Sequence, residues 1–256
     1  QPILTGEQIA SLECAPEKEP FDGDPHMFRL GVEAMRLGLA YEYDPYFSLS
    51  IARVDPLPHQ LEAVYDYFLK MPRIRFLLAD DPGAGKTIMA GLLIKELKAR
   101  GLIKRILIVA PANLCFQWQR EMKDKFRENF EVVRGEVLRL NYGSNPWQDK
   151  DQAITSVTWV SRVDDAKDSL LRSNWDLIVV DESHRMGGST DQVARYKLGQ
   201  GLAETAPYLL LLSATPHQGK SDAFQRLMSL LDPMAFPDLE SVTRDRVSDF
   251  IIRTEK

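Results

Sequence analysis

The stretch Arg75-Phe76-Leu77-Leu78-Ala79-Asp80-Asp81-Pro82-Gly83-Ala84-Gly85-Lys86-Thr87 decides the fold of this chain. An apolar run of strand length gives way to a glycine-rich turn, and a helical pattern follows from Lys86 to Arg100. That succession of strand, turn and helix is the setting a phosphate-binding P-loop needs. Gly83 and Gly85 allow the backbone to turn tightly and aim successive N–H groups inward, toward a helix N-terminus that favours anions. Lys86 is then placed to reach the β- and γ-phosphates of a nucleotide, and the Thr87 hydroxyl to ligate Mg²⁺. The strict pattern asks for Gly at its first position, where this chain has Asp80. A glycine-rich turn before an ordinary amphipathic helix is the plainer alternative.

Working outward, short apolar runs alternate with helical patterns from about Pro58 onward, which predicts a mostly parallel sheet covered by helices on both faces. Candidate strands are Phe76–Ala79, Arg105–Ala110, Val132–Leu138, Ala153–Val157, Leu177–Val180 and Leu209–Leu212. Candidate helices are Gln60–Lys70, Lys86–Arg100, Leu114–Phe126, Asp164–Leu171, Asp191–Glu204 and Ser221–Leu230. Strands apolar at nearly every position are those a sheet buried on both faces requires. The expected fold is therefore α/β, a three-layer P-loop domain.

Ninety-five positions after Lys86, the run Leu177–Val180 ends in Asp181-Glu182-Ser183-His184. Such a strand delivers adjacent carboxylates to the carboxyl edge of the sheet, where open α/β folds place ligands. Asp181 would hold Mg²⁺ through its water shell, and Glu182 would orient and deprotonate the attacking water. A strand-terminal Asp-Glu also serves as a helix cap and first-turn acid, and only its pairing with a P-loop tips the balance. Ser213-Ala214-Thr215-Pro216 closes the run Tyr208–Leu212, as a strand-to-turn junction or as a coupling element. The amide of Gln60 is either a first-turn helix residue or a donor and acceptor for an adenine edge.

The series PHQ (58–60), ADDPGAGKT (79–87), VAPANLCFQWQRE (109–121), VVDESH (179–184) and LLSATP (211–216) resembles the first RecA-like lobe of superfamily two helicases. Within them it resembles the Swi/Snf-type ATPases, especially the bacterial branch that includes the RNA-polymerase recycling factor. The overall pattern is also similar to the Swi/Snf-like helicases of bacterial anti-phage systems such as DISARM. The resemblance implies that Gln60 contacts adenine and that Asp81, Pro82, Gly83, Ala84, Gly85, Lys86, Thr87 and Ile88 hold ATP. It implies Mg²⁺ at Thr87 and Asp181, with Lys86, Asp181 and Glu182 catalytic, and ATP-to-DNA coupling through Ser213, Ala214 and Thr215. It further implies that Pro111 to Trp118 lies along one nucleic-acid strand. Ala112, Asn113, Gln117, Arg162 and Lys220 are the expected phosphate-touching residues, in sequence-independent contact with double-stranded DNA; a solvated polar rim is the plainer account of them. Two departures stand out: Pro82 removes one N–H from the phosphate nest, and Ser183 replaces the usual Ala of the DEAH-like box.

Composition bounds the rest. The 256 residues, 44% hydrophobic and 27% charged, suit a folded globular chain. The longest apolar runs, Ile106–Ala110 and Leu209–Leu212, fall far short of the ~20 residues of a bilayer-spanning helix, so no membrane partner is expected. Two cysteines build no disulfide framework, and with no leader-like start the expected compartment is the cytoplasm. The net charge of −5 is unevenly spread. Residues 1–50 carry three basic groups (Lys18, Arg29, Arg36) against nine acidic ones, −6, which leaves +1 for residues 51–256.

Three segments are therefore expected: an acidic extension (1–50), which either docks on the lobe or screens its nucleic-acid path; a RecA-like ATP-binding lobe (51–240); and the start of a linker (241–256). Helicase-type motors need a second RecA-like lobe, so the chain is expected to be part of a longer protein, nearly inactive as an ATPase by itself. Its wider partners would belong to a transcription or defence complex. A strand-separating or restriction-type motor and a nucleotide-gated scaffold without turnover remain alternatives; a small-molecule kinase has no use for the SATP and DESH boxes.

Overall fold

A computed structural model describes residues 23–44, 46–71, 73–136, 145–187, 193–217 and 219–253. The chain divides into two compact units, Gln1–Pro45 and Tyr46–Lys256. The first contains the helix α1 (Pro25–Tyr43), along which Phe28, Val32, Met35 and Leu39 recur near helical spacing. The second holds the whole sheet and starts slightly before the expected boundary. There α2 (Phe47–Ile51) presents the Ser48 amide to the buried Glu96 carboxylate, whose other partners are the Tyr65 hydroxyl and Arg100.

Among the described residues, seven parallel strands form one sheet: β1 (Arg75–Leu78), β2 (Ile106–Ala110), β3 (Glu131–Val133), β4 (Gln152–Ser156), β5 (Leu177–Val180), β6 (Tyr208–Leu212) and β7 (Ile251–Ile252). Their order is β3-β4-β2-β5-β6-β1-β7. Strand alternation sorts the core into two layers. Phe76, Leu78, Ile106 and Ile108 point to one face and pack against α4 (Lys86–Ala99) and α5 (Cys115–Phe126). Leu77, Leu107, Val109 and Leu211 point to the other. That second face is covered by α7 (Asp164–Leu171), α8 (Val193–Thr205) and α9 (Ser221–Leu231), with the short α6 (Val157–Val160) following β4. The central strands β1, β2, β5 and β6 are buried almost throughout, as their unbroken apolar runs require. The three-layer RecA-like α/β fold is thus the observed one.

Several boundaries differ from the sequence expectation. The helix expected over Gln60–Lys70 is α3 (Pro58–Leu61) continued by a π-turn segment (Glu62–Tyr67) and a 3₁₀ turn (Phe68–Lys70). The wider turn brings Ala63 and Phe68, five apart and both fully buried, toward the core. The strand expected over Val132–Leu138 ends at Val133, and Leu138 lies outside the described residues, as do Asp191 and the segment before Gly23. The segment 241–256, expected to begin a linker, instead supplies α10 (Arg244–Ser248) and the edge strand β7, which pairs with β1 through Leu77↔Ile251 and Leu78↔Ile252. Among the described residues no helix is long and apolar enough to cross a membrane.

Candidate functional site

All strands run the same way, so every strand-to-helix connection after β1, β2, β5 and β6 opens on one edge of the sheet. The P-loop follows β1 and the carboxylate pair follows β5; β6 lies between these two strands. They meet in a cleft of about 370 Å³, lined by Pro82, Gly83, Gly85, Lys86, Thr87 and Ile88 from one side and Asp181, Glu182 and Ala214 from the other. The third wall is α5, through Leu114, Gln117, Trp118, Glu121 and Lys125. A larger cleft of about 610 Å³ opens beside Arg75, at the start of β1 and away from these loops.

The loop has the backbone its glycines permit. Gly83 and Gly85 lie at φ +77° and +85°, a region that side chains with a Cβ rarely enter. At Gly85 a Cβ would also fall 2.1 Å from Gln60 Nε2. Gln60 is buried, and its amide uses both ends: Oε1 accepts from the Leu57 N–H at 3.0 Å, and Nε2 donates to the Ala84 carbonyl at 2.9 Å. His59 Nε2 lies 3.1 Å from the same carbonyl, a contact that the sequence reading missed although it sits inside the PHQ motif. Asp80, where a P-loop usually has Gly, is buried, and its carbonyl accepts from Lys86 Nζ at 2.7 Å. Lys86 also donates to the Asp81 carbonyl at 3.0 Å, so the ammonium lies within the turn that would receive a phosphate. Burial lowers the Lys86 pKa from its ordinary value, and the carboxylates of Asp80, Glu182, Asp181 and Asp81 oppose that shift.

Across the cleft, Asp181 accepts two hydrogen bonds. Trp118 Nε1 donates to Oδ2 at 2.8 Å, and the Glu182 N–H donates to Oδ1 at 2.8 Å. Burial raises the Asp181 carboxyl above its ordinary range, with these two donors acting in the opposite direction. Glu182 sits in the left-handed region at φ +49°, a costly conformation for a residue with a side chain, and one that concentrates at functional sites. Its Oε2 lies 3.1 Å from His184 Nδ1, which is in turn 3.2 Å from the buried hydroxyl of Ser213. Ser213 Oγ accepts from the Thr215 N–H at 3.3 Å. The carboxylate pair and the SATP segment are therefore joined by contact through His184, whose pKa burial lowers.

The expected nucleic-acid residues divide. Ala112 and Asn113 are exposed in the turn between β2 and α5, Arg162 is exposed beyond α6, and Lys220 is exposed at the start of α9; all follow carboxyl ends of strands. Pro111 is buried at the end of β2. Gln117 is exposed as well and also lines the cleft, with its amide donating to Glu121 Oε1 at 2.9 Å.

The residues suit a nucleotide with Mg²⁺. The cleft has the volume of a small-molecule site; its loop side presents the Lys86 ammonium and its far side the Asp181 and Glu182 carboxylates. Among the described residues there is no cluster of three or more His, Cys, Asp or Glu side chains able to cage a metal ion. One carboxylate and one hydroxyl, Asp181 and Thr87, are what a Mg²⁺ that keeps its waters and leans on phosphate oxygens requires.

Fold and site together define a RecA-like α/β lobe with a P-loop and an acidic strand end at its carboxyl edge. The family model described as the SNF2-related domain matches residues 59–255, and the chain belongs to that family. It is 40% identical over 201 residues to the RNA polymerase-associated protein RapA of Pseudomonas aeruginosa (strain LESB58), covering 78% of this chain and 21% of that protein. It is 39% identical over 195 residues to RapA of Pseudomonas fluorescens (strain Pf-5), covering 75% and 20%. The chain thus spans about a fifth of the length of these curated relatives. In fold it is similar to the Sulfolobus solfataricus SWI2/SNF2 ATPase core in complex with dsDNA, with a TM-score of 0.67 at 20% identity over 82% of this chain and 46% of that one. The core domain of the same organism's protein gives 0.64 at 19% identity, over 79% and 44%.

Proposed function

We propose that this chain is the ATP- and Mg²⁺-binding lobe of a double-stranded DNA translocase that remodels protein–DNA complexes. The observation that carries the proposal is the convergence of Lys86, Thr87, Asp181 and Glu182 on one cleft. Lys86 would leave the Asp80 and Asp81 carbonyls for phosphate oxygens, and the loop N–H groups would hold the remaining charge. Mg²⁺, when bound through Thr87 and Asp181, offsets the phosphate charge. Glu182 would take a proton from water, and its contact with His184 offers a route by which movement of Ser213–Thr215 alters that carboxylate. A pure scaffold has no need of a base beside the metal carboxylate.

Double-stranded DNA as the partner is supported by the likeness to the Sulfolobus core, which is seen in complex with dsDNA, and by exposed Ala112, Asn113, Arg162 and Lys220 on the carboxyl edge. The relatives' name, RNA polymerase-associated protein, favours a transcription complex as the setting over anti-phage defence. Arginine fingers, supplied by a second lobe, are worth ~10³ to 10⁵ in rate, so the chain alone is expected to bind Mg²⁺·ATP while turning it over hardly at all. The check is steady-state phosphate release with and without duplex DNA; strong DNA-stimulated turnover lost in Lys86→Ala would overturn the need for a second lobe. Duplex affinity is expected to fall roughly tenfold or more between about 50 and 200 mM salt, because a few phosphate contacts release counterions. A salt-independent affinity in a fluorescence-anisotropy titration would sink backbone contact as the mode of binding.

A further inference from the structure

Trp118 has no assigned part in the chemistry above, yet it makes the one side-chain hydrogen bond to Asp181 among the described contacts. It is 3% exposed, in the first turn of α5, and its indole ring belongs to the core layer beneath that helix. Its backbone is fixed as well. The Trp118 amide donates to the Leu114 carbonyl at 2.9 Å, and the Leu114 amide to the Pro111 carbonyl at 2.8 Å, so the helix start is tied to the end of β2. Strand β2 pairs directly with β5, the strand that ends at Asp181, and the Asp181 amide donates to the Val109 carbonyl at 2.8 Å. Both partners of the indole–carboxylate bond are therefore anchored to neighbouring strands.

An indole N–H suits this place. It only donates, so it never competes with Asp181 for a cation, and it keeps its proton throughout the accessible pH range. With one donor on each oxygen, rotation of the carboxylate is blocked while each oxygen keeps a lone pair. The ammonium of Lys125, which lines the same cleft, is paired with Glu121 at 2.9 Å.

We propose that Trp118 is a positioning residue for the metal carboxylate: its indole N–H holds Asp181 in the orientation in which it receives Mg²⁺, and so sets how strongly Mg²⁺ strengthens nucleotide binding. The inference rests on the nucleotide reading given above. Partners that orient a metal ligand are worth roughly 10- to 100-fold in metal affinity.

The experiment titrates the chain and its Trp118→Phe variant with mant-ADP, in EDTA and across a Mg²⁺ series. Phe keeps the ring and removes the donor. The Mg²⁺ concentration for half-maximal effect is expected to rise roughly 10- to 100-fold in Trp118→Phe. In an Asp181→Ala background the same substitution is expected to add less than about twofold, because the indole acts through that carboxylate. A Mg²⁺ response in Trp118→Phe within twofold of the parent's, or an undiminished effect of the substitution beside Asp181→Ala, overturns the proposal. A parent chain that binds nucleotide with no Mg²⁺ response, or none at all, overturns the nucleotide–metal reading together with it. Should Trp118→Phe fail to fold, the ¹⁵N-labelled parent decides: one indole N–H resonance is expected to move with Mg²⁺·ADP and stay still with ADP in EDTA. No indole resonance following Mg²⁺ overturns it.

Discussion

Arg75→Met is expected to destabilise the chain by about 3 kcal/mol, lowering its thermal midpoint by roughly 6 to 12 °C. Arg75 opens β1, is 6% exposed, and distributes its guanidinium over four carbonyls. Nη1 donates to Ala206 at 3.0 Å and Nη2 to Ala203 at 3.0 Å, at the end of α8; Nε donates to Leu231 at 2.7 Å and Nη2 to Leu230 at 2.8 Å, at the end of α9. The last carbonyls of a helix have no partner within it and carry its negative pole. One cation therefore closes two helices onto the amino edge of the sheet. Burial, and Arg73 beside it, lower its pKa to about 10, so it stays charged at neutral pH. Methionine fills the space and donates nothing. Water entering the adjoining cleft would satisfy part of the deficit, which is why the expected loss is well below the sum of four charge-assisted bonds. Arg75→Lys, with a single ammonium, should fall between. A thermal melt of Arg75→Met within about 3 °C of the parent would show that these bonds contribute little net stability.

Lys86→Ala is expected to weaken Mg²⁺-nucleotide binding by about 100-fold and to leave the fold intact. Two charge-assisted hydrogen bonds to phosphate oxygens, at about 1.5 kcal/mol each, correspond to roughly that factor. In the loop the ammonium is held by the Asp80 and Asp81 carbonyls, at 2.7 and 3.0 Å. Asp81 is exposed, so water can replace the lysine on its carbonyl at little cost. Arg75 caps helices in the interior, whereas Lys86 waits in a cleft. Isothermal titration with Mg²⁺·ADP settles the matter, and an affinity within threefold of the parent would remove Lys86 from the phosphate site. The thermal midpoint of Lys86→Ala should shift by no more than about 2 °C, against the much larger fall expected for Arg75→Met.

Much of the lobe can be read in the chain because the rules that produce it are local. The four central strands are runs of apolar residues that only a doubly covered sheet accommodates, and each lies within one residue of its expected bounds. Other elements depend on contacts that local rules do not specify. Ile251 and Ile252 make a strand only because the β1 edge is open to them, with Leu77 donating to Phe250 and Ala79 to Ile252. Two residues leave no periodic trace. The π-turn after α3 likewise answers to the packing of Ala63 and Phe68, not to helix propensity. Gln117, expected at nucleic acid, is exposed and also lines the cleft, a placement set by how α5 packs on the sheet.

The sequence by itself determined the glycine-rich loop and the acidic strand end, since glycine freedom, strand alternation and carboxylate placement act within a few residues. Tertiary structure alone decided what holds them. The indole of Trp118 reaches a carboxylate 63 positions away, Arg75 closes helices whose last turns lie 128 to 156 positions on, and His184 touches Ser213 across 29. Such pairs are made by strand order and helix packing, which bring together residues that no spacing along the chain connects.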